Sequence, residues 1–341
     1  MPVLAGRKGG EIAVMPIRKC LLAAAALLCL GGHCPSRSWA AGEDKVSLRL
    51  AWIVDTQSAG YIMAKAKGFY RASHLDVDIL PGGPNINSTA LVASGANTFG
   101  TNDSGEVFFG RSEGMKLVMV AACIQKFPGG VMALSKSGIK EPKDLIGKTL
   151  AYNEGGSWVF TQAMLAKAGV DIHRVRTVVA IGNEVLMNGR VDAKTAFATN
   201  EPIAVDLAGY KTTMLLPADY GIKAYAEAVF TDESVLQAKP DMVRRFVAAT
   251  VQGWDYAISH PDETVREVVK AGEDLNPEQE RREFARLQDF VVSAETKSHG
   301  TCSFNTQTLQ ETEDTLVNYG GLKIRIPVGK MSSTDYLPRK P

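Results

Sequence analysis

Catalytic and redox signatures are missing from this chain. Histidine and cysteine number five each among 341 residues. No HExxH, CxxC, GxGxxG or GxSxG spacing occurs, so metal hydrolysis, thiol redox chemistry, dinucleotide binding and an elbow serine all lack their residues. Gly147-Lys148-Thr149 resembles the end of a phosphate loop, but Pro142 stands where that loop needs its first glycine. A strand follows instead of a helix, so the tripeptide reads as a turn entering a strand. Charge of one sign is missing too: 38 Lys and Arg oppose 37 Asp and Glu, for a net charge of +1. That balance gives no polybasic field for nucleic acid or an anionic membrane. Beyond residue 40 no 18 consecutive apolar residues occur, so no membrane-spanning helix is expected. What remains, 45% apolar and 22% charged with 32 Gly and 15 Pro, is an ordinary globular composition long enough for two domains.

The first 40 residues have another character. Arg18 and Lys19 precede thirteen uncharged residues, Cys20 to Gly32, and Ser38 and Ala40 put small side chains at the −3 and −1 positions of a cleavage site. The run falls short of the roughly 20 residues of a membrane span. Residues 1–40 therefore read as a secretory signal peptide cut after Ala40, with Met15 opening a more conventional leader than Met1. Cys34 follows a histidine, a poor lipoprotein signal, so a soluble exported protein is expected. Removing the leader's five basic and one acidic residues takes the charge from +1 to −3. Cys20, Cys29 and Cys34 leave with it. Cys123 and Cys302 then meet an oxidising compartment and pair only if the fold brings them together; within VMVAAC, Cys123 reads first as a small buried residue.

The rest alternates between strand and helix patterns. Val46–Trp52 reads as a strand, Tyr61–Tyr70 as a helix, and Leu75–Leu80 as a strand. Helix-like 87–94, short strand 98–100, helix-like 105–113 and strand 116–122 follow, which together predict a parallel sheet with crossover helices. The pattern restarts after 126–130 with strands over 131–135, 149–152, 176–181, 193–198 and 213–217, and a helix from Ser157 to Ala168. Beyond Thr231 the chain reads as mainly helical, with Pro240-Asp241 and Pro261-Asp262 opening helices. The predicted class is α/β and bilobal: lobe one from 41–128 and 220–341, lobe two from 129–219, joined by crossings near Lys126–Gly130 and Asp219–Gly221.

Several segments in this order carry a resemblance. Trp52 with GYIMAKAKGFY and LDVDI, Gly82-Gly83-Pro84 with LVASGANTFG, GIKEPKDLIGKTLAY, Asn200-Glu201-Pro202, Ala218-Asp219-Tyr220-Gly221 and MVRRFVAATVQGWDYAISHPDE resemble the NMT1/THI5-like periplasmic substrate-binding proteins. That family includes the thiamine-pyrimidine, sulfonate, taurine and nitrate binders of bacterial importers. The resemblance runs from about 46 to 275 and implies the type II periplasmic-binding-protein fold. It also implies a periplasmic location, a small-molecule ligand, a permease and an ATPase as partners, no cofactor or metal, no enzymatic activity and a monomer. The triplet and the long helix lean towards binders of a planar nitrogen heterocycle related to the thiamine pyrimidine precursor. A sulfonate, nitrate, taurine or other small solute is the alternative, as is an exported sensor or enzyme on the same fold. The fungal pyrimidine synthases of this fold use a histidine, a lysine and a cysteine-rich run. Here Ser58 holds the histidine position, Val54 and Asp55 hold those of a Pro-Asn pair, and no cysteine run occurs.

In open parallel sheets, ligands bind beyond the carboxyl ends of the strands. The loops there nominate Trp52, Asp55, Thr56, Ser58, Gly83, Asn102, Asp103 and Ser104 in lobe one. In lobe two they nominate Asn153, Gly156, Ser157, Trp158, Asn200 and Glu201. Trp52 reads as a stacking ring or as core at a strand end, and Trp158 as ligand-facing or packed within its lobe. Residues 101–104 and 155–157 read first as helix starts, whose free amides also suit a ligand acceptor. Glu201 is expected to accept paired hydrogen bonds from an amino-heterocycle. Two carboxylates, Asp55 and Glu201, at one cleft favour a donor-rich or cationic ligand and repel an anion.

Overall fold

Val46 and Leu48 are buried while Ser47 between them is half-buried and Lys45 before them is exposed, the period-two pattern of a strand with one face on a core. A computed structural model describes residues 42–153 and 155–338; the expected signal peptide lies outside them. In chain order the strands are β1 (Asp44–Arg49), β2 (Leu75–Leu80), β3 (Phe99–Asn102), β4 (Leu117–Ile124), β5 (Gly129–Leu134), β6 (Thr149–Tyr152), β7 (Arg176–Val179), β8 (Ala193–Phe197), β9 (Thr212–Leu215) and β10 (Glu227–Asp232). They form two five-stranded sheets, ordered β2-β1-β3-β10-β4 and β7-β6-β8-β5-β9. In the first, Val46 pairs with Val77 and Leu48 with Ile79.

Both sheets are mixed, which corrects the expectation of parallel ones. β10 runs antiparallel to β3 and β4, and β5 antiparallel to β8 and β9. The cause is connectivity. The chain passes between the sheets through 125–128 and 216–226, beyond the carboxyl ends of the parallel strands. A strand arriving from that side must run against its neighbours. Sequence reading missed β10 and extended the first strand too far: β1 ends at Arg49, and Trp52 lies in the bend that follows.

The helices Ala59–Ala66 and Pro240–Ser259 cross closely on two glycines. A Cβ on Gly60 would lie 2.2 Å from the Trp254 ring, and one on Gly253 would lie 2.2 Å from the Gly60 carbonyl oxygen. Beneath them, Phe246 stacks on Phe99 with centroids 3.9 Å apart. Cys123 of β4 and Cys302 form a disulfide, joining the first sheet to the helical tail. The tail reaches further than the first sheet. Helix Pro277–Val291 touches both the Thr56–Ser58 turn and helix Glu201–Leu207, and helix Thr306–Tyr319 packs on both Ser104–Ser112 and Gly156–Lys167. Among the described residues no helix is long and apolar enough to cross a membrane.

Candidate functional site

Three adjacent strands of the first sheet present a carboxyl group at one edge. Asp55 follows β1, Asp103 follows β3, and Glu227 begins the antiparallel β10, so all three lie on the same side. Asp55 caps the Thr56–Ser58 turn, accepting from the Gln57 amide at 2.8 Å and from its side chain at 3.2 Å. Asp103 caps helix Ser104–Ser112, its Oδ1 accepting from the Glu106 amide at 3.1 Å. Its Oδ2 faces Gly156 of the second sheet's first helix, where a Cβ would lie only 2.5 Å away. Glycine at 156 is thus what lets the two edges approach here.

Helix Pro277–Val291 brings two more carboxyls to this place. Glu280 Oε2 accepts the Thr56 amide at 3.1 Å. Glu283 accepts from Gln279 at 2.7 Å and from the Asn200 side chain at 3.1 Å. Asn200 stands after β8 in the second sheet, so the Asn200–Glu283 bond ties that edge to the helix over Thr56. Burial pushes all five acids up: Asp55 to about 6, Asp103 and Glu280 to about 7, and Glu227 and Glu283 to about 8. Mutual repulsion adds to this. Asp55 raises Glu227, Glu280 and Glu283, while Asp103 raises Glu227. Near neutrality such groups are part carboxylic acid and part carboxylate, able both to donate and to accept.

The remaining nominated residues divide by what already holds them. Trp52 is 43% exposed at the sheet edge, open to stacking. Gly83 is buried with φ of +149°, which glycine adopts without strain. Thr56 contributes its amide. The Ser58 hydroxyl donates to the Asp55 carbonyl at 2.7 Å. Asn102 donates to the Ser88 hydroxyl and accepts the Asp103 amide. The Ser104 hydroxyl accepts the Tyr225 amide at 3.1 Å, fastening a helix start to the returning crossing. In the second sheet, Asn153 accepts from Thr195 at 3.2 Å, and Ser157 packs close to Gly129. Trp158 stacks on Tyr152 with centroids 4.0 Å apart, the packing alternative among its two readings. Glu201 turns back on its own sheet: it accepts the Phe197 amide at 2.7 Å and pairs with Lys194 at 3.5 Å. Those partners engage the oxygens that the sequence reading had assigned to a ligand, and they fix the loop that carries Asn200.

Glu227, Glu280 and Glu283 were missed in the sequence. Glu227 belongs to the overlooked β10, and the two glutamates sit in PEQERREF, which reads as a solvated helix face. The signal was available in the apolar residues at 284, 287, 290 and 291, all buried, since their spacing turns 280 and 283 inward as well. Among the described residues no group of three or more His, Cys, Asp or Glu side chains is arranged to hold a metal ion.

The family model described as NMT1/THI5 like matches residues 55–264. The riboflavin-binding protein RibY of Chloroflexus aurantiacus is 28% identical over 227 residues, covering 64% of each chain. The formylaminopyrimidine-binding protein of Halalkalibacterium halodurans is 25% identical over 244 residues, covering 68% of this chain and 72% of that one. Further matched relatives, at 22–23% identity, are named as 4-amino-5-hydroxymethyl-2-methylpyrimidine phosphate synthases. Among solved structures, the periplasmic aliphatic sulphonate binding protein SsuA from Escherichia coli superposes with a TM-score of 0.66 at 14% identity, covering 84% of this chain and 91% of its own. The two sheets and their crossings are thus the bilobal type II fold of periplasmic binding proteins. With more than half of its length matched by the family model, the chain belongs to the NMT1/THI5-like family.

Proposed function

We propose that this chain is the exported solute-binding component of an ABC importer, holding a small planar nitrogen heterocycle between its two sheet edges and delivering it to a permease and ATPase. The observation that carries the proposal is the meeting of Asp55, Glu280 and Glu283 with Asn200 across those edges. These groups offer buried acceptors and an amide to the N–H groups and ring nitrogens of an amino-heterocycle. The exposed Trp52 ring at the same edge supplies a stacking face. Relatives named for binding a flavin and an aminopyrimidine support the ligand class. A sulfonate or nitrate is disfavoured because the buried carboxylates repel it. A synthase role lacks its chemistry: Ser58 takes the place of the family's histidine, and its hydroxyl is held by the Asp55 carbonyl.

Mass spectrometry of solute released from the purified periplasmic protein is expected to yield a nitrogen heterocycle. Calorimetry with that compound is expected to show a loss of about tenfold or more for Trp52→Ala, from base-like stacking, with ligand-free melting nearly unchanged. Asn200→Ala is expected to weaken binding as well. A released sulfonate, or wild-type affinity in both variants, would overturn the reading.

A further inference from the structure

The outermost strand β7 pairs with β6 alone and leaves its other edge open. All of its residues are exposed, Val179 to 68%, and Ile181 just beyond it to 73%. Successive side chains of a strand point to opposite faces, so Val178 and Val179 put apolar surface on both. The Arg176 and Ala180 amides donate to the Lys148 and Tyr152 carbonyls on the β6 side. Alternate residues of a parallel pair serve one neighbour, so the N–H and C=O groups of Thr177 and Val179 face the open side.

Soluble proteins ordinarily guard such an edge with charges, a proline, a bulge or a covering element. At the outer edge of the first sheet, β2 does so: Leu75 and Val77 are buried, and Asp76 and Asp78 are exposed. Between Thr177 and Ile181, β7 and its continuation carry no charge and no proline, and the register with β6 is unbroken. Charge gathers instead at the strand's amino end. Arg174 and Arg176 are exposed there and Lys148 is half-buried beside them. Among the described residues none of the three is in an ion pair; the Arg176 guanidinium donates to the Thr149 hydroxyl at 3.2 Å. Asp171 and Asp192, the acids nearest in the chain, accept the His173 and Thr149 amides.

We propose that β7 is a docking edge for an extended segment of another protein, which adds to the second sheet as a sixth strand. Its backbone takes up the open groups of Thr177 and Val179, its apolar side chains cover Val178, Val179 and Ile181, and its acidic side chains meet Lys148, Arg174 and Arg176. Two copies of this chain joined through β7 would set basic edges together, and joining β7 to the acidic β2 of another copy gives a contact that does not close. An anionic membrane would satisfy the cations and the apolar side chains but offers the strand backbone no regular partner. None of the nominated cleft residues lies on β7, so this contact is separate from solute binding.

The probes are a short fluorescent peptide with aspartates at one end and alternating valine and threonine along the rest, its twin with lysines for the aspartates, and the acidic peptide N-methylated at alternate amides. With the full mature protein, fluorescence anisotropy is expected to rank the acidic peptide at least about tenfold above the lysine twin, with the preference shrinking as salt rises, and to find no binding of the methylated form. Hydrogen exchange is expected to slow at the Thr177 and Val179 amides when the acidic peptide is present. Val179→Lys, and Arg174→Glu with Arg176→Glu, are expected to abolish binding while keeping the parent's melting temperature, since the replaced side chains are exposed. Failure of the acidic peptide to bind, equal binding of the lysine or methylated peptide, or unchanged exchange at the two amides would overturn the proposal. So would sedimentation showing self-association that Val179→Lys removes, which makes the occupant a second copy. Binding to phosphatidylglycerol vesicles that the same variants remove, with no peptide bound, would make it a membrane surface instead.

Discussion

Position 156 shows how much depends on one missing methyl group. A Cβ there would lie 2.5 Å from Asp103 Oδ2 and 3.3 Å from the Phe127 ring, and Asp103 is itself held by the Glu106 amide. Gly156→Ala leaves each sheet's own packing untouched, because φ at this position is not in the left-handed region, but it wedges the two edges apart at their contact. Solute affinity is expected to fall by about tenfold or more, the scale of the roughly 1–3 kcal/mol of an overpacked contact, while the melting temperature without solute moves little. An unchanged affinity would show that the edges need not meet here. Gly156, Asp103, Asp55 and Asn200 were legible in the sequence because each follows a strand and opens a turn or helix, a position marked by residue type. Glu201 was legible as a loop acid but not as a partner of Lys194, because that pairing depends on a strand neighbour seven residues back and on the way the side chain turns.

At the scale of elements, the helical tail holds the first sheet through more than apolar packing. The Cys123–Cys302 disulfide closes a loop across 179 residues, and cross-linking so long a segment removes denatured-state entropy worth about 5 kcal/mol, with typical measured values of 2–4 kcal/mol. Replacing both cysteines by alanine is therefore expected to lower the melting temperature by roughly 5 °C or more, equally in the presence and absence of reductant. In the parent, reductant alone is expected to produce the same loss. A parent protein indifferent to reductant under denaturing pre-treatment would show that the thiols are not joined. The sequence placed Cys123 and Cys302 beyond the first 40 residues but did not give their distance, which arises from β4 and the 302 segment meeting in the fold: the Cys302 carbonyl accepts the Ala122 amide at 2.9 Å. The helix-forming periods and most strands were plain. β10 was not, because a short apolar run just ahead of a long helical tail carries no local mark of the sheet it returns to.

For the whole molecule, the acid cluster inverts the usual response to pH. The five buried carboxyls titrate between about 6 and about 8 when folded, against roughly 3.9–4.3 in an unfolded chain. Between those limits the folded protein binds more protons than the unfolded one, so stability falls as pH rises through this window and levels off above about 8. The acids held down by surface cations, among them Asp44 beside Arg245 and Lys239 and Glu278 beside Arg282 and Arg281, act in the opposite sense. Their contribution is present above the unfolded value and is lost only as pH falls below it, outside the window. The solute-free protein is therefore expected to melt at least about 3 °C higher at pH 5.5 than at pH 8.5. Glu227→Gln and Glu283→Gln should each flatten that slope and raise the melting temperature at pH 8.5, because a carboxamide needs no proton to be neutral. Differential scanning calorimetry from pH 5.5 to 8.5 decides the matter: a melting temperature that is flat or rises with pH in the solute-free parent means that the five carboxyls are not buried together as the fold places them.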